Sequence, residues 1–158
     1  MLTIQSFCFN AFQENTFVLF NSEKEAIIVD PGCYLKHEQA QLANFISENN
    51  LTPKLLLNTH CHLDHVFGNN FVSETYGLTA LFHQKEQAVI DRLPEGGARW
   101  GVPTEAYKGK VQYIQQDELI QFGNDVFKVL ETPGHSPGSV CFYHQAQDFL
   151  IGGDLIFK

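Results

Sequence analysis

Short apolar runs alternate with amphipathic stretches through the first half of the chain. Apolar runs at residues 2–9, 16–20 and 26–29 are separated by polar segments, and runs of this length predict β-strands in an antiparallel sheet. Beyond residue 32 one helical face is apolar, at positions 35, 42, 45 and 46, and Thr52-Pro53 ends this helix before a run at 55–57. Strand, helix and strand in this order predict a βαβ unit.

The second half of the chain is predicted to be mostly strand. A helix over residues 66–76, which Gly77 stops, precedes a strand at 78–82. Residues 93–109 hold several prolines and glycines and are expected to form a long irregular segment, of a length at which loops often act as lids. Later runs predict strands at 119–122, 126–131, 140–143 and 149–151, the first two joined in a hairpin by Gly123-Asn124-Asp125.

Composition and charge narrow the class of protein. With 158 residues and 44% hydrophobic content, the chain is expected to form a single domain over 1–158 with a sizeable core. A formal charge of -8 disfavours nucleic acid as a partner. We find no basic leader and no apolar run near the roughly 20 residues that cross a bilayer. We therefore expect a soluble cytoplasmic protein without membrane contact. The cysteines are scattered without a CxxC pair, so we expect them to be free thiols.

A cluster of histidines directly follows the predicted strand at 55–57. His60 and His62 alternate, so in an extended backbone their side chains converge on one side while Cys61, interpreted as structural, turns away. If a helix begins near Asp64, then Asp64 and His65 occupy its first turn and approach the same strand end from another angle. One strand end therefore offers ligands for a metal and for a neighbouring second metal.

Two later segments could complete such a site. His135 lies in a turn stiffened by two prolines and two glycines, and Asp154 follows Gly152-Gly153 at the end of another apolar run. The remaining histidines are interpreted as surface or hydrogen-bonded residues: His37, His83 and His144. Neutral imidazole and carboxylate suit zinc best among common cations, with iron or manganese as alternatives.

These motifs resemble those of the metallo-β-lactamase-fold hydrolase superfamily, and within it the glyoxalase II-like thioesterases. The resemblance rests on Thr59-His60-Cys61-His62-Leu63-Asp64-His65, on 132–139, on Gly153-Asp154 and on the early turn Asp30-Pro31-Gly32. It implies an α/β fold, the αβ/βα sandwich. It also implies two zinc ions: His60, His62 and His135 would bind the first, Asp64 and His65 the second, and Asp154 would bridge them.

The sequence departs from the family pattern near its end. Family members continue beyond the bridging aspartate and supply a further histidine to the second metal, whereas the sequence stops at Lys158. We therefore expect a C-terminally truncated sandwich, either a fragment or a shortened protein that another chain completes. Self-association through an exposed sheet edge is the corresponding expectation for partners.

The resemblance implies glyoxalase II-like hydrolysis of a small acylthiol thioester, such as S-lactoylglutathione, by a metal-bound hydroxide. Asp64 would act catalytically by orienting this nucleophile as well as binding metal. Two alternatives stay open. A mononuclear iron persulfide dioxygenase would use His60, His135 and Asp154, and a non-catalytic metal-binding fragment would bind metal without turnover.

Overall fold

A computed structural model describes residues 1–156, and its larger sheet has six strands in chain order. The strands are β1 Thr3–Phe9, β2 Glu14–Phe20, β3 Glu25–Val29, β4 Thr52–Leu57, β5 Ala80–His83 and β6 Val111–Ile114. The first three pair antiparallel, and β3, β4, β5 and β6 pair parallel. The predicted N-terminal antiparallel strands are confirmed, and so is the βαβ unit that follows them.

The second sheet is antiparallel, with strand order β10-β9-β8-β7. Its strands are β7 Leu119–Phe122, β8 Asp125–Glu131, β9 Val140–His144 and β10 Phe149–Ile151. The predicted hairpin joins β7 to β8, and Gly123 takes a positive φ of 56° at its turn. Glycine adopts that left-handed conformation without steric cost, which explains its place in the turn.

Helices connect the parallel strands of the larger sheet. They are α1 Lys36–Glu48, α2 Leu63–Val66, α3 Asn69–Tyr76, α4 Gln87–Ile90 and α5 Leu93–Trp100. None of the described helices has the length and apolar character needed to cross a bilayer.

The core has two apolar layers, one on each face of the larger sheet. Successive side chains of a strand point to opposite faces, so the neighbours Ile28 and Ile27 enter different layers. Ile28 belongs to the same layer as Leu42 of α1 and Val72 of α3, while Ile27 belongs to the layer that contains Phe127 of the second sheet. This helix, sheet, sheet layering confirms the predicted α/β sandwich.

The helix predicted over residues 66–76 is in fact two helices, α2 and α3. The break falls at Gly68, whose amide donates a hydrogen bond to the Pro31 carbonyl at 2.7 Å. A Cβ on Gly68 would overlap Cys33 and Pro31. The close approach of the turn after β3 therefore interrupts the helix here, which helical periodicity alone does not reveal.

The prediction of an irregular segment over residues 93–109 is wrong for its first half, which forms α5. Pro94 lies in the first turn, where its missing N–H removes no helical hydrogen bond. Gly97 packs against Val102 and Thr104 too closely for a side chain, and Gly101 ends the helix at φ 69°. The glycines and the proline thus serve packing and helix ends. The short parallel strand β6 was not predicted either.

Candidate metal centre

The candidate ligands follow the carboxyl ends of strands from both sheets, in loops or in short helices. Asp30 follows β3, the segment from His60 to His65 follows β4, His135 follows β8, and Asp154 follows β10. A backbone hydrogen bond of 2.8 Å from the Val140 amide, at the start of β9, to the Thr59 carbonyl joins the second sheet to the loop after β4. The structure thus brings together all six residues that the sequence singled out as metal-facing: His60, His62, Asp64, His65, His135 and Asp154.

Three imidazoles converge on one point. His60, His62 and His135 each offer one ligand atom, and these atoms lie within 4.8 Å of one another. His62 Nδ1 is 2.9 Å from His135 Nε2. His60 Nε2 is buried and has no hydrogen-bond partner among the described residues. Because an unpaired buried ring nitrogen is costly, a shared cation would fit this donor set.

The charge state of these rings also suits metal binding. Burial, together with the neighbouring His65 and His62, lowers the pKa of His60 to about 2. Burial and the nearby His135 lower the pKa of His62. Both rings are therefore neutral at physiological pH, which is the form that binds metal ions.

Asp154 lies between this triad and a second group of ligands. Its Oδ1 is 3.1 Å from His65 Nε2, and its Oδ2 is 3.2 Å from His135 Nε2. Asp64 Oδ2 is 3.7 Å from the same Nε2 of His65. One carboxylate oxygen thus faces each group, which is the placement that a bridging carboxylate needs.

In the second group, carboxylates surround a buried imidazole. Burial disfavours the charged imidazolium, but hydrogen bonds to Asp154 and Asp30 raise the pKa of His65 to about 11. The hydrogen bond from His65 lowers the pKa of Asp154. Asp154 and Asp30 therefore surround this buried imidazole with negative charge, which suits a cation.

Asp30 supports His65 from behind, a role that sequence analysis did not assign. Its Oδ2 is 3.1 Å from His65 Nδ1, and its two oxygens accept hydrogen bonds from the Thr59 amide at 2.7 Å and the Thr59 hydroxyl. Asp30, His60 and His65 also form a compact group of potential ligands. Because Thr59 already occupies both Asp30 oxygens, Asp30 is better suited to orient His65 than to bind metal.

Glu86 joins the two loops that carry the histidine triad. It is fully buried, and its Oε2 accepts a hydrogen bond from the Cys61 amide at 2.7 Å. Its Oε1 accepts from the Ser136 hydroxyl at 2.6 Å and from the Gly138 amide at 2.7 Å. Sequence analysis missed Glu86, since a single acidic residue in a polar stretch has no distinguishing pattern.

The histidines interpreted as non-ligands lie outside the cluster. His83 Nε2 is 3.2 Å from Glu131, and His144 Nε2 is 2.9 Å from Asp125. Both are buried and hydrogen-bonded, as predicted, and His37 is exposed on α1. The cysteines, Cys61 among them, are free.

Comparison with known proteins places this arrangement in a family. Residues 9–158 match the model of the metallo-beta-lactamase superfamily. The chain belongs to that superfamily. Its relatives in the superfamily include the hydroxyacylglutathione hydrolase GloC of Haemophilus influenzae, which is 32% identical over 94% of this chain and 69% of its own length. The probable metallo-hydrolase YqgX of Bacillus subtilis is 33% identical over 92% of this chain and 67% of its own length.

Solved structures of the superfamily share the fold. The B3 metallo-beta-lactamase BLEG-1 superposes with a TM-score of 0.88 at 32% identity, covering 99% of this chain and 74% of its own. TTHA1623, solved in a di-iron-bound form, gives a TM-score of 0.84 at 27% identity over 98% of this chain and 73% of its own. This member of the metallo-β-lactamase superfamily is therefore shorter than these structural neighbours.

Proposed function

We propose that the protein is a metal-dependent hydrolase that cleaves acylthiol thioesters, with S-lactoylglutathione as the first substrate to test. The observation that supports this most is the position of Asp154, with one oxygen toward His135 and the other toward His65. Such a carboxylate links a three-histidine site to a site formed with Asp64. We propose two zinc ions there, and the di-iron form of TTHA1623 supports iron as the alternative metal.

Divalent cations held there would supply Lewis acidity, lowering the pKa of a water molecule toward about 7 and polarising an acyl carbonyl. Asp64 is 21% exposed at its side chain, so it can accept a hydrogen bond from that water and orient it toward a substrate. His60 and His65 are buried beneath the site. The more exposed side, formed by His62, Asp64, His135 and Asp154, is where a substrate would approach.

Thioesters suit this site because a thiolate leaves without strong acid assistance. At the open side Asp154 is an acceptor, because the hydrogen bond that His65 donates lowers the pKa of its carboxyl group. The names of several relatives support the same substrate class. GloC of Haemophilus influenzae is one, and the hydroxyacylglutathione hydrolase of Buchnera aphidicola, 30% identical over 93% of this chain and 49% of its own length, is another.

The test is an assay of S-lactoylglutathione hydrolysis by the metal-loaded protein, in which the loss of thioester absorbance is measured. We expect turnover that Asp64→Asn lowers by about a hundredfold or more, because an amide is a poor proton acceptor. His37→Ala, on the exposed face of α1, is the matched control and should retain full activity. Full metal occupancy without thioester hydrolysis would refute the proposal. Oxygen consumption with a persulfide substrate would instead identify the iron dioxygenase alternative.

A further inference from the structure

A side pocket of about 360 Å³ opens next to the histidine triad, with His62 in its wall. Leu63, Val89, Leu93 and Pro137 supply most of its apolar lining. A volume of this order is typical of small-molecule sites, and apolar walls with a few polar groups are their usual composition. A larger cavity of about 730 Å³ lies beside Asp64 and Asp154 and belongs to the candidate metal centre itself.

Among the residues that the structure describes, two cations and no acidic residue line this side pocket. Lys85 and Arg92 are both exposed, and within residues 1–156 neither side chain forms an ion pair or a hydrogen bond. The chain as a whole has a formal charge of -8. Two unpaired cations beside an apolar pocket in an acidic protein match a ligand with an apolar body and an anionic end.

We propose that the side pocket receives the acyl chain of the substrate, and that the preferred substrates are thioesters of short aliphatic acids that end in a carboxylate. This inference rests on the proposed thioesterase function. If the substrate carbonyl reacts at the histidine triad, the pocket lies beside it, because His62 belongs to both. An amide-rich thiol carrier fits this pocket less well. Buried amides without hydrogen-bond partners are costly, and the apolar wall offers few such partners. An aliphatic chain needs no partners, and Lys85 and Arg92 meet its terminal carboxylate.

Gly96 on α5 gives this idea a steric test. The nearest atom to a Cβ built on Gly96 is Leu63 Cδ2 at 3.8 Å, which is ordinary van der Waals contact. Alanine therefore fits at this position, and it is also a better helix former than glycine. A leucine would extend further toward Leu63 across the pocket. Gly96→Leu should fill the pocket, with Gly96→Ala as its matched control.

The experiment compares two five-carbon acyl groups, glutaryl and pentanoyl, which differ in a terminal carboxylate against a methyl group. Ketone analogues of their N-acetylcysteamine thioesters, with a methylene in place of the sulfur, serve as binding probes for calorimetry on the full chain without metal. We expect the glutaryl analogue to bind about tenfold tighter. Lys85→Gln combined with Arg92→Gln should abolish this preference, as should high salt.

Gly96→Leu should weaken binding of both analogues by about tenfold or more, and Gly96→Ala should leave it within about twofold. Equal affinity of the two analogues for the native protein would overturn the proposal, as would unchanged affinity in Lys85→Gln/Arg92→Gln. These two surface substitutions keep the test decisive if Gly96→Leu does not fold. Because binding is measured without turnover, selective binding without any thioester hydrolysis would refute the proposed function and not the pocket.

Discussion

Individual buried carboxylates determine how firmly the ligand loops are placed. Glu86 is the clearest case, because its oxygens accept three hydrogen bonds, from the Cys61 amide, the Ser136 hydroxyl and the Gly138 amide. Cys61 lies between His60 and His62, and Ser136 follows His135. One side chain therefore sets the distance between the two loops that form the histidine triad.

Glu86→Gln should loosen the triad. A glutamine amide has one acceptor oxygen, so its NH2 group would face an N–H or O–H donor in a buried place. We expect the free energy of unfolding to fall by about 1–3 kcal/mol and metal affinity to weaken by about 10- to 100-fold. Chemical denaturation and metal titration against a chelator measure the two effects. The exposed Glu95→Gln serves as control, and unchanged metal affinity in Glu86→Gln would contradict the assigned role.

Glu14 lies beneath the second group of ligands. Its pKa leads us to expect that the stability of the fold depends on pH. Desolvation by burial raises its pKa to about 9, above an ordinary value of 4.5. The folded state therefore holds a proton that the unfolded chain releases, so metal-free stability should fall as pH rises from about 4.5 to 9. Denaturation across this range should show a smaller decline in Glu14→Gln, which has no proton to lose. An identical decline in both proteins would assign it to other groups.

The ends of the strands position the ligands of the site. Gly153, which precedes Asp154, shows why some of these ends require glycine. Gly153 has a positive φ of 52°, and a Cβ there would overlap the Thr59 side chain. The short 3-10 helix Gly153–Leu155 can thus carry Asp154 close to the end of β4. Gly153 thus permits the close approach of the two backbones that this placement requires.

Gly153→Ala should displace Asp154 and weaken binding at both groups of ligands. Gly101→Ala is the matched control, because Gly101 has a similar φ of 69° with nothing within 4 Å of its Cβ position. Both variants carry the cost of a left-handed alanine, roughly 1 kcal/mol. Only Gly153→Ala adds the overlap with Thr59. Metal titration of both variants measures the difference, and equal affinities would show that the overlap does not matter.

Sequence patterns predicted these elements where the signal was local. The sequence predicts most of the strands, the β7–β8 hairpin and the cluster from His60 to His65, because alternation and spacing are properties of short segments. Asp30 and Glu86 were missed as supporting residues because their partners lie up to 52 positions away and are brought near only by the fold. The helix α5 was misread since Pro94, Gly96 and Gly97 favour loops until tertiary packing outweighs them.

At the scale of the whole molecule, the site joins the two sheets, so metal binding should stabilise the fold. Ions that bind only the folded state add about 2.7 kcal/mol at a hundred times their dissociation constant. For a domain of this size we expect the Tm to rise by roughly 5–10 °C. Thermal unfolding with and without a chelator measures the change, with His62→Ala as control. Full metal occupancy without a shift in Tm would show that the site does not couple the sheets.

The central claim is that imidazoles and carboxylates from both sheets share metal ions. Anomalous diffraction at the zinc and iron absorption edges, from crystals grown with each metal, tests it most directly. We expect one peak in reach of His60 Nε2, His62 Nδ1 and His135 Nε2, and a second beside His65 Nε2, with Asp154 between them. Anomalous peaks confined to other parts of the molecule would contradict it.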